Sequence, residues 1–402
     1  MLLENLKTEI LYYKIDKQKK IIFKCFFVSF ILLILIISLY KYKRNNKLKE
    51  IKKEISFIEK YKRICNKEIL LKKKIFQRVD NPKISIITAV YNRDKYLLRF
   101  IRSIQNQNFE EIEIIFVDDF SYDKSVEIIE KYQKEDERII LIKHKENKGT
   151  LISRNDGALI SKGEYLIFPD PDDILSSDIL NYCYNLAIKE KFDIIRFNLY
   201  DGNKYIYDYI NTIKKQKISQ PQLSSHIFYG NGHLEQIDYS ISNKFILRNV
   251  YIKSLNSINN YYLIQNMVVY EDGLINFMLY KTANSLYHSK KLGYYYIRNN
   301  QSITINFQKN IERHIYNCYI YLKYIFEYTN NNKYEKDIAF CVYHNVNKEI
   351  SNLKNYQKIT KNFAFYYDII NLYLNCEFIS LNDKEELMII ANLIKKAEFK
   401  NK

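Results

Sequence analysis

Five short apolar runs recur between residues 83 and 200: KISIITAVY, EIEIIFVDD, RIILIKH, EYLIFPD and FDIIRFNLY. They are rich in β-branched residues, and segments with helical spacing lie between them, such as Tyr96, Leu97, Phe100, Ile101 and Ile104, then Val126, Ile128, Ile129 and Tyr132. Strands that alternate with helices predict a mostly parallel sheet covered on both faces. In such sheets ligands sit beyond the carboxyl ends of the strands.

Polar residues stand at those ends. The first run closes on Tyr91 and Asn92, the second on Asp118 and Asp119, and the fourth on Asp170, Pro171, Asp172 and Asp173. Crowded carboxylates repel one another unless solvent or a cation relieves them. Each group also has a plainer reading: Asp118 and Asp119 suit the cap of a helix over 123–134, the acidic turn after 169 suits another, and Tyr91 alone could be a core tyrosine. No G-x-G-x-x-G follows the first run and no G-x-x-x-x-G-K-[ST] occurs, so neither a dinucleotide cradle nor a P-loop is available. Phosphate bound here would need a cation.

The chain has 402 residues and a formal net charge of +17, and 47% of it is hydrophobic. That is enough apolar material for one large domain or two ordinary ones, and it excludes a disordered chain. Much of the positive charge lies in residues 14–74, beside the most apolar segment, which fits phospholipid headgroups and not nucleic acid. The six cysteines form no C-x-x-C pair, and His226, His233, His288, His314 and His344 follow no zinc spacing.

The apolar segment is IIFKCFFVSFILLILIISLY, residues 21–40, with one charge, Lys24, near its end. Twenty helical residues at about 1.5 Å each span roughly 30 Å, the thickness of a bilayer core. A retained transmembrane anchor is expected. Lysines flank both sides, so the orientation stays open between the cytosolic face and a Golgi lumen. Leu48, Ile51, Ile55 and Ile58 predict an amphipathic stalk helix within 41–81. Residues 304–402 read as amphipathic helices that pack on the domain before them or line an acceptor channel.

The ordered fragments SIITAVYNRDKYLLRFIRSIQNQNFEEIEIIFVDDFSYDKS, NKGTLISRNDGALISKGEYLIFPDPDD, SNKFILRNVY, VYEDGLINFMLY and GYYYIRNNQSIT, from about 83 to 303, resemble the family 2 glycosyltransferases. The resemblance implies a GT-A fold: an α/β domain over 82–303 with a mixed, mostly parallel sheet and flanking helices. A basic tail (1–20), the anchor and the stalk precede it, and the helical region follows. By the same resemblance Tyr91 stacks on the nucleobase, Asp119 accepts a hydrogen bond from uracil, and Arg154 lies near the nucleotide. Asp170 and Asp172 match the D-x-D motif, with Asp172 the direct ligand of Mg²⁺ or Mn²⁺ and Asp170 facing ribose or the metal through water. Asp272 matches the general base, although Glu271 and Asp272 also suit a helix cap. Arg298 and Asn300 would approach phosphate or acceptor.

One departure concerns Phe120, which stands where the family often has Gly, so the turn after Asp119 is in question. The expected function is transfer of a sugar, with inversion, from a nucleotide sugar, in first place a UDP-sugar, to a hydroxyl of a glycan, lipid or protein. The alternative is a membrane-tethered binding protein of the same fold without the chemistry.

Overall fold

The computed structural model describes residues 76–200, 217–220, 240–259 and 270–297, with positions 223, 267, 317, 320, 321, 323–325, 327 and 328. All belong to one of two units into which the chain divides, Lys73–Lys402. The predicted anchor, the stalk except its last residues, and Arg298 and Asn300 lie outside the described residues. Among the described residues no helix is long and apolar enough to cross a membrane.

The four N-terminal runs fold as predicted into β1 (Ile84–Val90), β2 (Ile112–Asp118), β3 (Ile139–Lys143) and β4 (Tyr165–Ile167), paired in parallel in the order β3-β2-β1-β4. Every residue of β2 and all but one of β1 are buried, as continuous apolar strands between two helical layers should be. On one face α1 (Asp94–Gln105) seats Leu97, Phe100, Ile101 and Ile104 in the core. Its N-terminus and that of α2 (Ser125–Gln133) share a cap. The Asp123 carboxylate accepts the backbone N–H of Asp94 at 3.0 Å and of Ser125 at 2.9 Å. The capping role open to Asp118 and Asp119 thus falls to Asp123.

The other face carries α3 (Thr150–Ile160). A Cβ on Gly157 would stand 2.5 Å from Ile87 Cγ2, so only glycine lets α3 lie this close to β1 and β2. That approach brings Arg154, one turn earlier, over the carboxyl end of the sheet.

Beyond β4 the sheet departs from expectation. The fifth run forms β6 (Ile194–Tyr200), reached through β5 (Ile174–Leu175) and α4 (Ile179–Glu190), but β8 (Lys244–Leu247) is wedged between β4 and β6, antiparallel to both. β9 (Ser285–Tyr295) runs parallel to β6 and antiparallel to β5 and to β7 (Lys217–Ser219). Parallel and antiparallel pairings are therefore equal, four of each among the described strands, and the sheet is mixed without being mostly parallel. β8 is followed at once by α5 (Arg248–Asn256), which packs against α3. α6 (Glu271–Thr282) then leads into β9.

Candidate active site

At the carboxyl ends of β1 and β2 two tyrosines face solvent. Tyr91 is 41% exposed, and Tyr122 meets it edge-on at 6.1 Å between ring centroids and 86° between planes. Asn92 fastens this corner: its N–H donates to Ser121 Oγ at 3.0 Å and its Oδ1 accepts the Tyr122 N–H at 3.0 Å. Asn92 has φ 52° and Phe120 φ 68°. Phe120 therefore takes the left-handed conformation that Gly would adopt freely, at a cost of about 1–2 kcal/mol, with a side chain 55% exposed.

The two aspartates between these aromatics differ in their partners. Asp119 is buried and accepts at both oxygens. Its Oδ1 accepts the Lys148 N–H at 2.8 Å and faces His144 Nδ1 at 2.8 Å, while its Oδ2 accepts the Gly149 N–H at 2.8 Å. The other ring nitrogen of His144 faces Asp156 Oδ2 at 3.0 Å. This places Asp119 in the scaffold of the loop that starts α3. Asp118 gives Oδ2 to the Ser121 N–H at 3.1 Å, and its buried Oδ1 has no hydrogen-bond partner. His144 follows β3 directly, at the carboxyl edge, and that position alone was the signal that would have singled it out.

After β4 the acidic turn is organised by β9. Asp173 is 1% exposed; Tyr294 Oη donates to its Oδ2 at 2.7 Å, and the Ile297 N–H donates to its Oδ1 at 2.7 Å. The same Tyr294 hydroxyl accepts the Asp170 N–H at 3.0 Å. Burial, with the charges of Asp170 and Asp172, pushes the Asp173 carboxyl well above the usual carboxylate range. Asp173 anchors the turn, and its neighbours face outward. Asp172 Oδ2 lies 3.6 Å from Arg93 Nε. Asp170 Oδ1 pairs with Arg154 Nη2 at 2.7 Å, and its Oδ2 accepts from Ser242 Oγ at 3.0 Å.

Arg154 joins this turn to α6. Its Nη1 pairs with Asp272 Oδ1, and Asp272 Oδ2 accepts the Ile241 N–H at 3.2 Å. Burial alone would weaken the guanidinium's hold on its proton; Asp272, Asp170 and Glu271 outweigh it and raise the Arg154 pKa. Burial also pushes Asp272 up, against the pull of Arg154 and with the push of Asp170. Glu271 is pushed up to about 8, by burial first and by the Asp272 charge second. The N-cap residue of α6 is Tyr270 at φ 65°, whose side chain makes no capping hydrogen bond. The Tyr270 ring stacks on Tyr321 at 5.5 Å and 18°, and Phe277 meets Tyr324 and Tyr328 edge-on, so these three tyrosines of the C-terminal region pack against the helix that carries Asp272.

Five of the residues singled out in the sequence, Tyr91, Arg154, Asp170, Asp172 and Asp272, thus line the carboxyl edge of the sheet. Tyr294, Ser242 and Arg93, which carried no expected role, meet two of them, Asp170 and Asp172. A cavity of about 500 Å³ lined by Arg78, Glu113, Arg138 and Lys162 opens at the amino ends of β2 and β3, away from this chemistry.

A family model described as glycosyl transferase family 2 matches residues 85–251, which include Tyr91, Arg154, Asp170 and Asp172. Residues 85–251 form a family 2 glycosyltransferase domain. Glycosyltransferase GlyG of Streptococcus pneumoniae is 36% identical over 130 residues, 31% of this chain and 43% of GlyG, so the chain spans less than half the length of that relative. The crystal structure of Staphylococcus aureus TarS 1–349 matches 73% of this chain and 80% of its own, with a TM-score of 0.55 at 17% identity. The same TarS fragment in complex with UDP-GlcNAc matches 72% of this chain and 81% of its own, with a TM-score of 0.50 at 18% identity. The domain has the GT-A-like fold of these structures.

Proposed function

We propose that this chain is a membrane-anchored inverting glycosyltransferase that moves a sugar from a UDP-sugar to an acceptor hydroxyl on a glycan, lipid or protein. The observation that carries this reading is the meeting of Asp170, Asp172 and Asp272 around one buried guanidinium, Arg154, within a family 2 glycosyltransferase domain. The TarS complex with UDP-GlcNAc supports a UDP-sugar donor.

In this reading the uridine stacks on Tyr91, and Asp119, at the end of β2, accepts a hydrogen bond from uracil with the lone pair that Lys148, Gly149 and His144 leave on its carboxylate. The acceptor oxygen attacks the anomeric carbon from the face opposite the nucleotide. As the new C–O bond forms, the bond to the diphosphate breaks and its electron pair leaves with the diphosphate. Asp272 takes the hydroxyl proton. Arg154 helps this by holding Asp272 ionised against the cost of burial, and Ile241 aims the carboxylate.

The donor set fits Mg²⁺ or Mn²⁺: hard carboxylate oxygens at the place where a diphosphate would lie. Asp172, the second Asp of the D-x-D match, would hold the ion directly, and Asp170, which Arg154 and Ser242 engage, would face the ribose or the metal through water. Among the described residues no group of three acidic, histidine or cysteine side chains is assembled for a metal, so donor phosphates and water would complete the shell. Its contribution would be charge neutralisation of the leaving diphosphate. The anchor is supported by the apolar run 21–40, whose one charge, Lys24, lies near its end.

The test is a panel of nucleotide sugars assayed for hydrolysis and transfer with the detergent-solubilised chain and Mn²⁺. A UDP-sugar turned over above all others is expected. Turnover of none, with none bound, would sink the reading.

A further inference from the structure

We propose that Arg93 guards Asp172 against a divalent cation until a nucleoside diphosphate arrives, so that metal and donor bind together and not one after the other. The inference rests on the metal reading above and adds to it a residue that sets the order.

Arg93 follows the tyrosine corner directly and belongs to two structures at once. Its backbone N–H donates to Ser125 Oγ at 2.8 Å, which fixes it at the start of α1. Its Nη1 donates to the carbonyls of Tyr91 at 3.3 Å and Asn92 at 3.1 Å, which folds the guanidinium back over the same corner. From there Nε lies 3.6 Å from Asp172 Oδ2. The side chains are 21% and 16% exposed, so water screens this pair only in part. Arg99 holds the other side of the acidic residue: its Nη2 donates to the Asp172 carbonyl at 2.7 Å and prevents the turn from swinging away.

A dication that approaches Asp172 therefore meets a carboxylate already partly neutralised and a fixed positive charge within a few ångströms. Both effects oppose it. A diphosphate changes the balance, because it brings at least two negative charges that the dication and the guanidinium can share. Arg93 carries donors suited to phosphate oxygens and stands between the tyrosine corner and the acidic turn. Positive coupling between cation and nucleotide follows, and it must be reciprocal. Arg93 acts here through charge, as a positioning residue, and takes no part in bond making.

The measurement is Mn²⁺ affinity, read from the electron paramagnetic resonance of the free ion, for the detergent-solubilised full chain with and without saturating UDP. Without UDP the parent should bind Mn²⁺ weakly, and Arg93→Gln about tenfold more tightly. With UDP the parent should gain at least tenfold and Arg93→Gln clearly less. Arg93→Lys, which keeps the charge, should behave as the parent, and Arg93→Met serves if Arg93→Gln does not fold by circular dichroism. Equal Mn²⁺ affinity of the parent and the neutral variants without UDP would overturn the guard while leaving the metal reading intact. Tight binding by Arg93→Lys would also overturn it, since charge would then not be the cause. Absence of Mn²⁺ binding by any of them, with UDP present, would remove the metal reading and the guard with it.

Discussion

Arg154 and Asp272 stand 118 residues apart in the chain and form a partly buried ion pair, with side chains 6% and 22% exposed. The same guanidinium holds Asp170, so the acidic turn and the first turn of α6 are parts of one electrostatic unit.

Removal of the cation from that unit leaves Asp170 and Asp272, which solvent reaches only in part, without the charge that pairs them. Arg154→Met is expected to lower stability by about 2–3 kcal/mol near neutral pH, below the full penalty of a buried pair because both carboxylates are partly solvated. Urea unfolding followed by circular dichroism measures this, and a loss below 1 kcal/mol would show that solvent already screens the carboxylates.

Asp272→Asn keeps the shape of the base and loses its basicity. A positioned base contributes roughly 10²–10⁴-fold, so kcat for transfer should fall by at least about a hundredfold while UDP affinity changes little. Glu271→Gln should cost much less. If Glu271→Gln is inactive and Asp272→Asn transfers normally, the base is one residue earlier.

Glu271 carries a pKa of about 8 against an ordinary value of 4.5, so the folded chain binds its proton more tightly than the unfolded chain does. Its contribution to stability is therefore fully present below about pH 4.5 and is lost as pH rises to about 8. Glu271→Gln should accordingly gain stability over the parent above pH 8, and that gain should shrink as pH falls toward 4.5. Thermal midpoints of both proteins across that range are the check, and a constant difference would contradict the assignment.

Phe120 adopts φ 68° with most of its ring in solvent. Phe120→Gly relieves the left-handed strain but gives the unfolded chain more freedom, for a net gain of about 0.5–1 kcal/mol. Chemical denaturation reads this directly. A loss would mean that the exposed ring packs on something in solution.

The full chain should resist alkaline carbonate extraction through residues 21–40. Release of intact protein by carbonate would refute the anchor.

Local periodicity was enough to place β1, β2, β3, β4 and β6 and the buried face of α1, because each depends on the spacing of apolar residues over a few turns or one strand. The residues at the strand ends followed, since an apolar run that stops at Tyr91 or Asp170 tells where the chain leaves the sheet. Three things lay beyond any local pattern. The direction of β8 depends on which strands it separates, and its four residues read the same whichever way they run. The division of labour between Asp118 and Asp119 depends on Lys148, Gly149 and His144, brought to one of them by the loop before α3. The state of Asp272 depends on a guanidinium held over the sheet by the close approach at Gly157. By itself the sequence determined the alternating elements and the edge at which polar residues collect. The tertiary structure decided which carboxylate is held by backbone donors and which is paired with a guanidinium, because those properties arise from groups distant in the chain whose charges and donors act only across a few ångströms of space.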